Sequence, residues 1–186
     1  DQIDKVGPNL EGAVTGLVVP TYMDIESIED LNENKEKFDG TITGIDPGAG
    51  IMSQTENAVE EYNLDYDLMS SSSAGMASAL KAAYDNEEPI VVTLWNPHWA
   101  FARCDLKYLD DPNDVYGSDD IVTIARPGLE EDKPNAYAIL ERFNWDVADN
   151  EQVMAYIDQG MSGEEAAEKW VEENPDKVNA WLGEGE

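Results

Sequence analysis

Pro89-Ile90-Val91-Val92-Thr93-Leu94-Trp95-Asn96-Pro97-His98-Trp99 is an apolar, β-branched run that ends abruptly in two tryptophans set around a proline and a histidine. The run reads as a buried strand, and the aromatic cluster as the loop at its carboxyl end. A loop carrying two indoles must bury two large rings and find partners for their N–H groups, so it is a loop with something to touch. In open α/β sheets ligands sit at the carboxyl ends of strands, which makes this cluster a candidate pocket wall. Indole faces attract cations, quaternary ammonium groups in particular. A tryptophan after a strand also serves as plain core, and residues four apart in a tight turn seldom reach one cavity. The reading therefore assigns Trp95 to the ligand and Trp99 to packing.

Working upstream, the chain alternates strand and helix. Thr41-Ile42-Thr43-Gly44-Ile45 reads as a strand that runs into the turn Asp46-Pro47-Gly48-Ala49-Gly50, and Ile51, Met52, Ala58, Val59 and Tyr62 give the next segment an apolar helical stripe. Tyr66-Asp67-Leu68-Met69 is a short strand, followed by the serine run Ser70–Ser73 and a helix carrying Met76, Ala79, Leu80 and Ala83. With the strand at 90–94 this is a βαβαβ pattern, which predicts a parallel sheet with helices on both faces. Before it, Gly12–Pro20 reads as an extended crossing strand closed by proline, and Ser27 as the cap of a short helix.

Downstream of Trp99 the composition changes. Asp105–Leu109 leads into Asp110-Asp111-Pro112-Asn113-Asp114, a polar stretch that reads as a hinge or linker. Beyond it the sequence predicts a strand at Ile121–Ala125 and a helix from Pro134 through Phe143. Further helices are expected over Glu151–Gln159, from Ser162 to Asn174 with Ser162 and Glu165 as a capping box, and from Pro175 onward with Val178 and Trp181. Trp170, Trp181 and Tyr137 fall on helical stripes and are expected in the core. Trp145 sits at an irregular junction before Asp146 and is the second indole expected to face a cleft between domains.

Composition limits the partners. Asp and Glu number 41 against 11 Lys and Arg, a formal charge of −30, which repels nucleic acid phosphates and anionic lipid surfaces. The acids are spread along the chain, as on the solvated surfaces of proteins that stay soluble in high salt. The single cysteine, Cys104, allows no intrachain disulfide and reads as a small buried filler. No stretch reaches the roughly 18 consecutive apolar residues of a membrane span. The chain begins with Asp1 and lacks a signal segment, so it is expected to be processed or cut from something longer.

Little in the sequence argues for catalysis. His98 is the one histidine, no Gly-x-Ser-x-Gly elbow accompanies it, and its simplest role is to hydrogen-bond backbone and hold the turn. One histidine and one cysteine cannot form a Cys/His metal site, and no calcium loop occurs. The 46–50 turn, with Gly48 at its centre, lacks the dinucleotide spacing and a Walker lysine; it suits a carboxylate at backbone N–H groups, or merely a tight strand-to-helix turn. Ser72 is equally open between helix cap and ligand donor.

Taken together, Gly16-Leu17-Val18-Val19-Pro20-Thr21-Tyr22-Met23, Gly44–Gly50, the serine-rich helix start, Trp95–Trp99 with Asp105–Leu109, and Phe143-Asn144-Trp145 resemble the substrate-binding proteins of ABC-type glycine betaine/proline betaine importers. The resemblance runs through the whole chain in order. It implies a two-lobed, periplasmic-binding-protein-like α/β fold with mixed, mainly parallel sheets, closing on a compatible solute, with tryptophans around the ammonium and polar groups on the carboxylate. By motif position Trp95 and Trp145 match cage tryptophans, with His98, Gly48 and Ser72 as lesser ligand candidates and no metal or cofactor. Family members are longer, so the expected organisation is a residual crossover at 1–17, a complete second lobe at 18–110 and a mainly helical remainder of an incomplete first lobe at 111–186. The resemblance further implies an extracytoplasmic protein that delivers a betaine to a permease. An incomplete lobe should also expose apolar surface and favour self-association or a missing N-terminal fragment. The alternatives carried are a small α/β enzyme using His98 with a carboxylate, and a protein-interaction module.

Overall fold

The computed structural model describes residues 3–183. The chain divides into two compact units, residues 14–118 and residues 1–13 with 119–186. The strand β1 (Asp4–Pro20) runs from the second of these into the first.

In the 14–118 unit a sheet is built from β1, β2 (Thr41–Thr43), β3 (Asp67–Met69), β4 (Val92–Asn96) and β5 (Leu106–Tyr108), in the order β3-β2-β4-β1-β5. The sheet is mixed. β2 pairs parallel with β3 and with β4, while β1 pairs antiparallel with β4 and β5. Parallel pairing is thus confined to the three strands of the βαβαβ pattern, whose crossovers are the helices α1 (Gly50–Glu61) and α2 (Ser73–Asp85). The end of β1 is buried without alternation, Leu17, Val18 and Val19 being fully inaccessible, because it lies between two strands and under helices. Ile42, Val91, Val92 and Leu94 are equally buried, and removing each such side chain from water stabilises the unit by roughly 1.5–3 kcal/mol.

Several boundaries differ from the sequence expectation. β1 begins at Asp4 rather than Gly12, since β6 (Ser118–Ala125) gives its polar first half a pairing partner that periodicity alone does not reveal. The helix expected after Ser27 is a 3-10 turn, Ile28–Asp30, closed by a Ser27/Asp30 capping box and followed by a second one, Asn32–Phe38. Asp105–Leu109 contributes β5, preceded by the short helix α3 (Ala100–Arg103). The polar stretch 110–114 is tied into the 14–118 unit. Ile28 N–H donates to the Asp110 carbonyl at 3.0 Å, Asp110 N–H to the Glu26 carbonyl at 2.8 Å, and the Tyr62 hydroxyl to the Asp111 carboxylate.

The other unit combines the first half of β1 and β6 with five helices among the described residues: α4 (Leu129–Asp132), α5 (Pro134–Arg142), α6 (Val147–Asp158), α7 (Gly163–Glu173) and α8 (Pro175–Leu182). Its core is aromatic. Trp170, Trp181, Tyr156 and Ala166 are buried, and Phe143, Trp145, Val153, Met161 and Val178 pack against them. Asp146 and Ser162 close capping boxes on α6 and α7 with Asp149 and Glu165. The expectation of Tyr137 as core is corrected: it is half-buried, and no residue of α5 is buried. No helix among the described residues is long and apolar enough to cross a membrane.

Candidate functional site

Thr43 of β2 is the register partner of both Met69 of β3 and Val92 of β4. β2 and β3 therefore end level with Val92, the first residue of β4, and β4 runs on to Asn96 in the same direction, so the three parallel strands lead toward one side of the 14–118 unit into three sequence motifs: Asp46–Gly50 after β2, Ser70–Ser72 after β3, and Trp95–His98 at the end of β4. The first two are knit together, with Gly44 N–H donating to the Met69 carbonyl at 2.8 Å, Ser71 N–H to Ile45 at 3.0 Å and Ser73 N–H to the Asp46 carboxylate at 3.2 Å. A Cβ on Gly44 would fall 2.5 Å from the Met52 sulfur, so any larger residue here requires the Met52 side chain to move.

Trp95 is half-buried at the end of β4, paired in register with Thr15 of β1. The Asn96–Pro97 peptide is cis, and the chain then turns into α3. His98 is buried, its Nδ1 accepting the Ala100 N–H at 3.1 Å, which is the turn-holding bond expected of it. Burial pulls its pKa below the ordinary 6.5. Its ring stands between the two indoles, edge-on to Trp95 at 4.9 Å and 83°, and tilted against Trp99 at 5.4 Å and 31°. Trp95 and Trp99 both pack partly buried against the core, so packing does not separate them as expected, and it is Trp99 that lines, with His98, a hollow of about 450 Å³ whose other walls are Ser73, Ala74, Ala77, Ser78 and Lys81 of α2. That α2 face was missed in the sequence reading, although its helical spacing and the run of small residues ending in Lys81 were there to be read.

The two helices that start on this side differ in how they are capped. Ser72 caps α2, its hydroxyl oxygen accepting Gly75 N–H at 3.0 Å, so the cap reading of Ser72 describes what its oxygen does in this structure. α1 starts on Ala49, which offers no side-chain cap, and its first turn holds no acid. Its leading N–H groups and the positive end of its dipole are left for water or a ligand. Gly48 just before it has φ +93°, is exposed, and has nothing within 4 Å of where a Cβ would stand. Its glycine is needed for the turn and keeps the approach to α1 open. On β4, the buried oxygens Thr93 Oγ1 and Asn96 Oδ1 have no hydrogen-bond partner.

Trp145 belongs to the other unit. It precedes Asp146, the cap of α6, and donates its backbone N–H to the Asn9 carbonyl at 2.9 Å. Its ring meets Trp170 edge-on at 6.1 Å and tilts against Phe143 at 5.4 Å. It remains half-buried, lining a hollow of about 650 Å³ with Pro8, Asn9, Glu11, Asn144 and Asp146 among its walls.

His98 has its Nδ1 bound to backbone and no carboxylate among its described partners. Cys104 is buried, and burial pushes its thiol pKa up, away from the reactive thiolate. No group of three or more metal-ligating side chains occurs among the described residues.

Comparison with known proteins completes the picture. Residues 1–173 match the family model described as the substrate binding domain of ABC-type glycine betaine transport systems. The chain is 52% identical over 150 residues to the glycine betaine/carnitine transport binding protein GbuC of Listeria monocytogenes, an alignment taking in 78% of this chain and 50% of that protein. Among solved structures it resembles lactococcal OpuAC in its closed, glycine betaine-bound conformation, with TM-score 0.89 and 45% identity over 97% of this chain and 71% of that one. It also resembles the glycine betaine/L-proline-binding protein ProX of Borrelia burgdorferi, with TM-score 0.86 and 37% identity over 97% of this chain and 69% of that one. The chain thus spans half the length of the curated relative, and the mixed α/β fold is that of type II periplasmic binding proteins.

Proposed function

We propose that this chain, which belongs to the family of substrate-binding domains of ABC-type glycine betaine transport systems, binds a quaternary-ammonium compatible solute of the glycine betaine class and presents it to the permease of an ABC importer. The protein then works outside the cytoplasmic membrane in osmoprotection, and the reading assigns it no catalysis. The 14–118 unit is taken as the second lobe of the family fold, the crossover being the first part of β1, and the helical unit as part of the first lobe.

One observation carries the reading. Past the paired residues Thr43 and Val92 the parallel strands β2 and β4 lead the same way, three residues on to Asp46, where the turn into the uncapped α1 begins, and to the half-buried Trp95. A betaine has a methylated cation that cannot donate strong hydrogen bonds and a carboxylate a short distance away. The cation is served by an indole face, at about 0.5–2 kcal/mol per well-placed contact. The carboxylate is served by backbone N–H groups at a helix N-terminus. Ser72 and His98 stand beside these groups, as a cap and as a loop brace. Trp145, in the other unit, is a separate candidate indole and is tested on its own.

Fluorescence and calorimetric titration with glycine betaine, choline and proline test this. Saturable binding of glycine betaine without turnover is expected, weakened about 3- to 30-fold in Trp95→Ala. An unchanged dissociation constant in Trp95→Ala removes Trp95 from the site, and no binding of any of the three ligands sinks the functional reading.

A further inference from the structure

We propose that His98 is a positioning residue for Trp95, its buried imidazole bracing the indole in the pose that meets the ligand cation. The proposal rests on the functional reading above for its consequence, but not for its geometry.

An imidazole is a costly filler. His98 is 7% exposed, and a buried ring nitrogen left without a partner is penalised where an aliphatic side chain would not be. The structure satisfies Nδ1 with the Ala100 N–H at 3.1 Å. That bond does two things: it leaves the hydrogen of the neutral ring on Nε2, and it sets the rotation of the ring about its Cβ–Cγ bond. The plate so fixed is placed between two indoles, edge-on to Trp95 and tilted against Trp99.

Trp95 needs such a brace. Its backbone is held in the β1–β4 ladder opposite Thr15, but the ladder does not choose the rotamer of a half-buried side chain at a strand end. An edge-to-face contact with His98, added to the packing of Trp95 on the core, selects the rotamer and occupies at most one indole face. Holding a ring before the ligand arrives removes an ordering cost from binding, an effect of about 3- to 10-fold in affinity for one side chain.

Two variants separate ring from hydrogen bond. His98→Phe keeps an aromatic plate without the Nδ1 acceptor; His98→Asn keeps a short acceptor for Ala100 N–H without the plate. The first readout is fluorine NMR of the ligand-free protein carrying 5-fluorotryptophan, in which the resonance lost in Trp95→Phe reports on Trp95 among the five tryptophans. The Trp95 resonance is expected to shift or broaden in both variants, with the Trp170 and Trp181 resonances unmoved. Glycine betaine affinity should fall about 3- to 10-fold in each, and neither His98 change should lower it further in a Trp95→Ala background. A Trp95 resonance unmoved in either well-folded variant overturns the brace, as does an affinity loss that persists in full without Trp95. If wild-type protein binds no betaine, the functional reading falls while the fluorine spectra still decide the geometry.

Discussion

Trp170 and Trp181 lie face to face in the helical unit, ring centroids 5.4 Å apart and planes within 10°. The stack joins α7 to α8, and the Trp181 Nε1–H is anchored on the Asn144 carbonyl at 3.0 Å, which draws in the segment leading to Trp145. With only four residues buried in this unit's aromatic cluster, the pair is a large share of its core. Trp181→Ala is expected to cost about 3–5 kcal/mol, read as a lower urea midpoint. A loss under about 1 kcal/mol would mean that the stack contributes little beyond surface contact.

The uncapped start of α1 sets stability against binding. Ala49 has φ −67° and ψ 142°, the extended backbone of an N-cap residue, so Ala49→Asp should accept a first-turn N–H and stabilise the protein by about 0.5–2 kcal/mol. The same carboxylate would occupy the groups proposed to hold the ligand's carboxylate and would repel it. A raised melting temperature is expected together with weaker glycine betaine binding, while choline, which has no carboxylate, is affected much less. Equal losses for both ligands would place the carboxylate elsewhere.

How much of this was legible in the sequence depends on whether the signal was local. The βαβαβ pattern between Thr41 and Leu94 was readable because its strands are short apolar runs and its helices carry apolar stripes, that of α1 imperfect but usable. The antiparallel strands were less visible. The first half of β1 is polar and contains Gly7, Pro8 and Gly12, so only pairing with β6, over a hundred residues away, makes it a strand. Within the candidate site, Trp95 and the 46–50 turn were singled out by their composition. The contacts of His98 with both indoles were not, because they depend on how the chain turns after Asn96, which spacing does not encode. Tyr137 was misplaced for a related reason: a stripe names the face a helix would bury, not whether a neighbour covers it.

Net charge makes a prediction that involves no single contact. A formal charge of −30 on 186 residues repels itself most in the compact state, and the described ion pairs lie largely at the surface, where each contributes little. Raising salt from about 0.1 M to about 1 M shortens the screening length from about 10 Å to about 3 Å and relieves that repulsion at a small cost in ion pairs. The melting temperature should therefore rise with potassium chloride. A flat or falling trend would show that ion pairs outweigh the excess acid.

The burial of His98 gives stability a pH dependence whose sign is fixed by its lowered pKa. In the unfolded chain the imidazole titrates near 6.5; in the folded chain burial holds it neutral to lower pH. Burial alone sets this direction; Lys81 of α2, which lines the same hollow, is paired with Asp85. Above pH 6.5 both states are neutral and His98 adds no slope. As pH falls below 6.5 the unfolded state takes up the proton first, so stability drops until the pH passes the folded value and the slope ends. Protonation of the folded state, which comes only as the pH reaches its lower folded value, puts a hydrogen on Nδ1, where it confronts Ala100 N–H, so the Trp95–Trp99 loop should lose its order there, below the interval of falling stability. Urea unfolding from about pH 8 down to about pH 5 should show this loss in wild type and not in His98→Phe, and matching profiles for the two proteins would exclude His98 as its source.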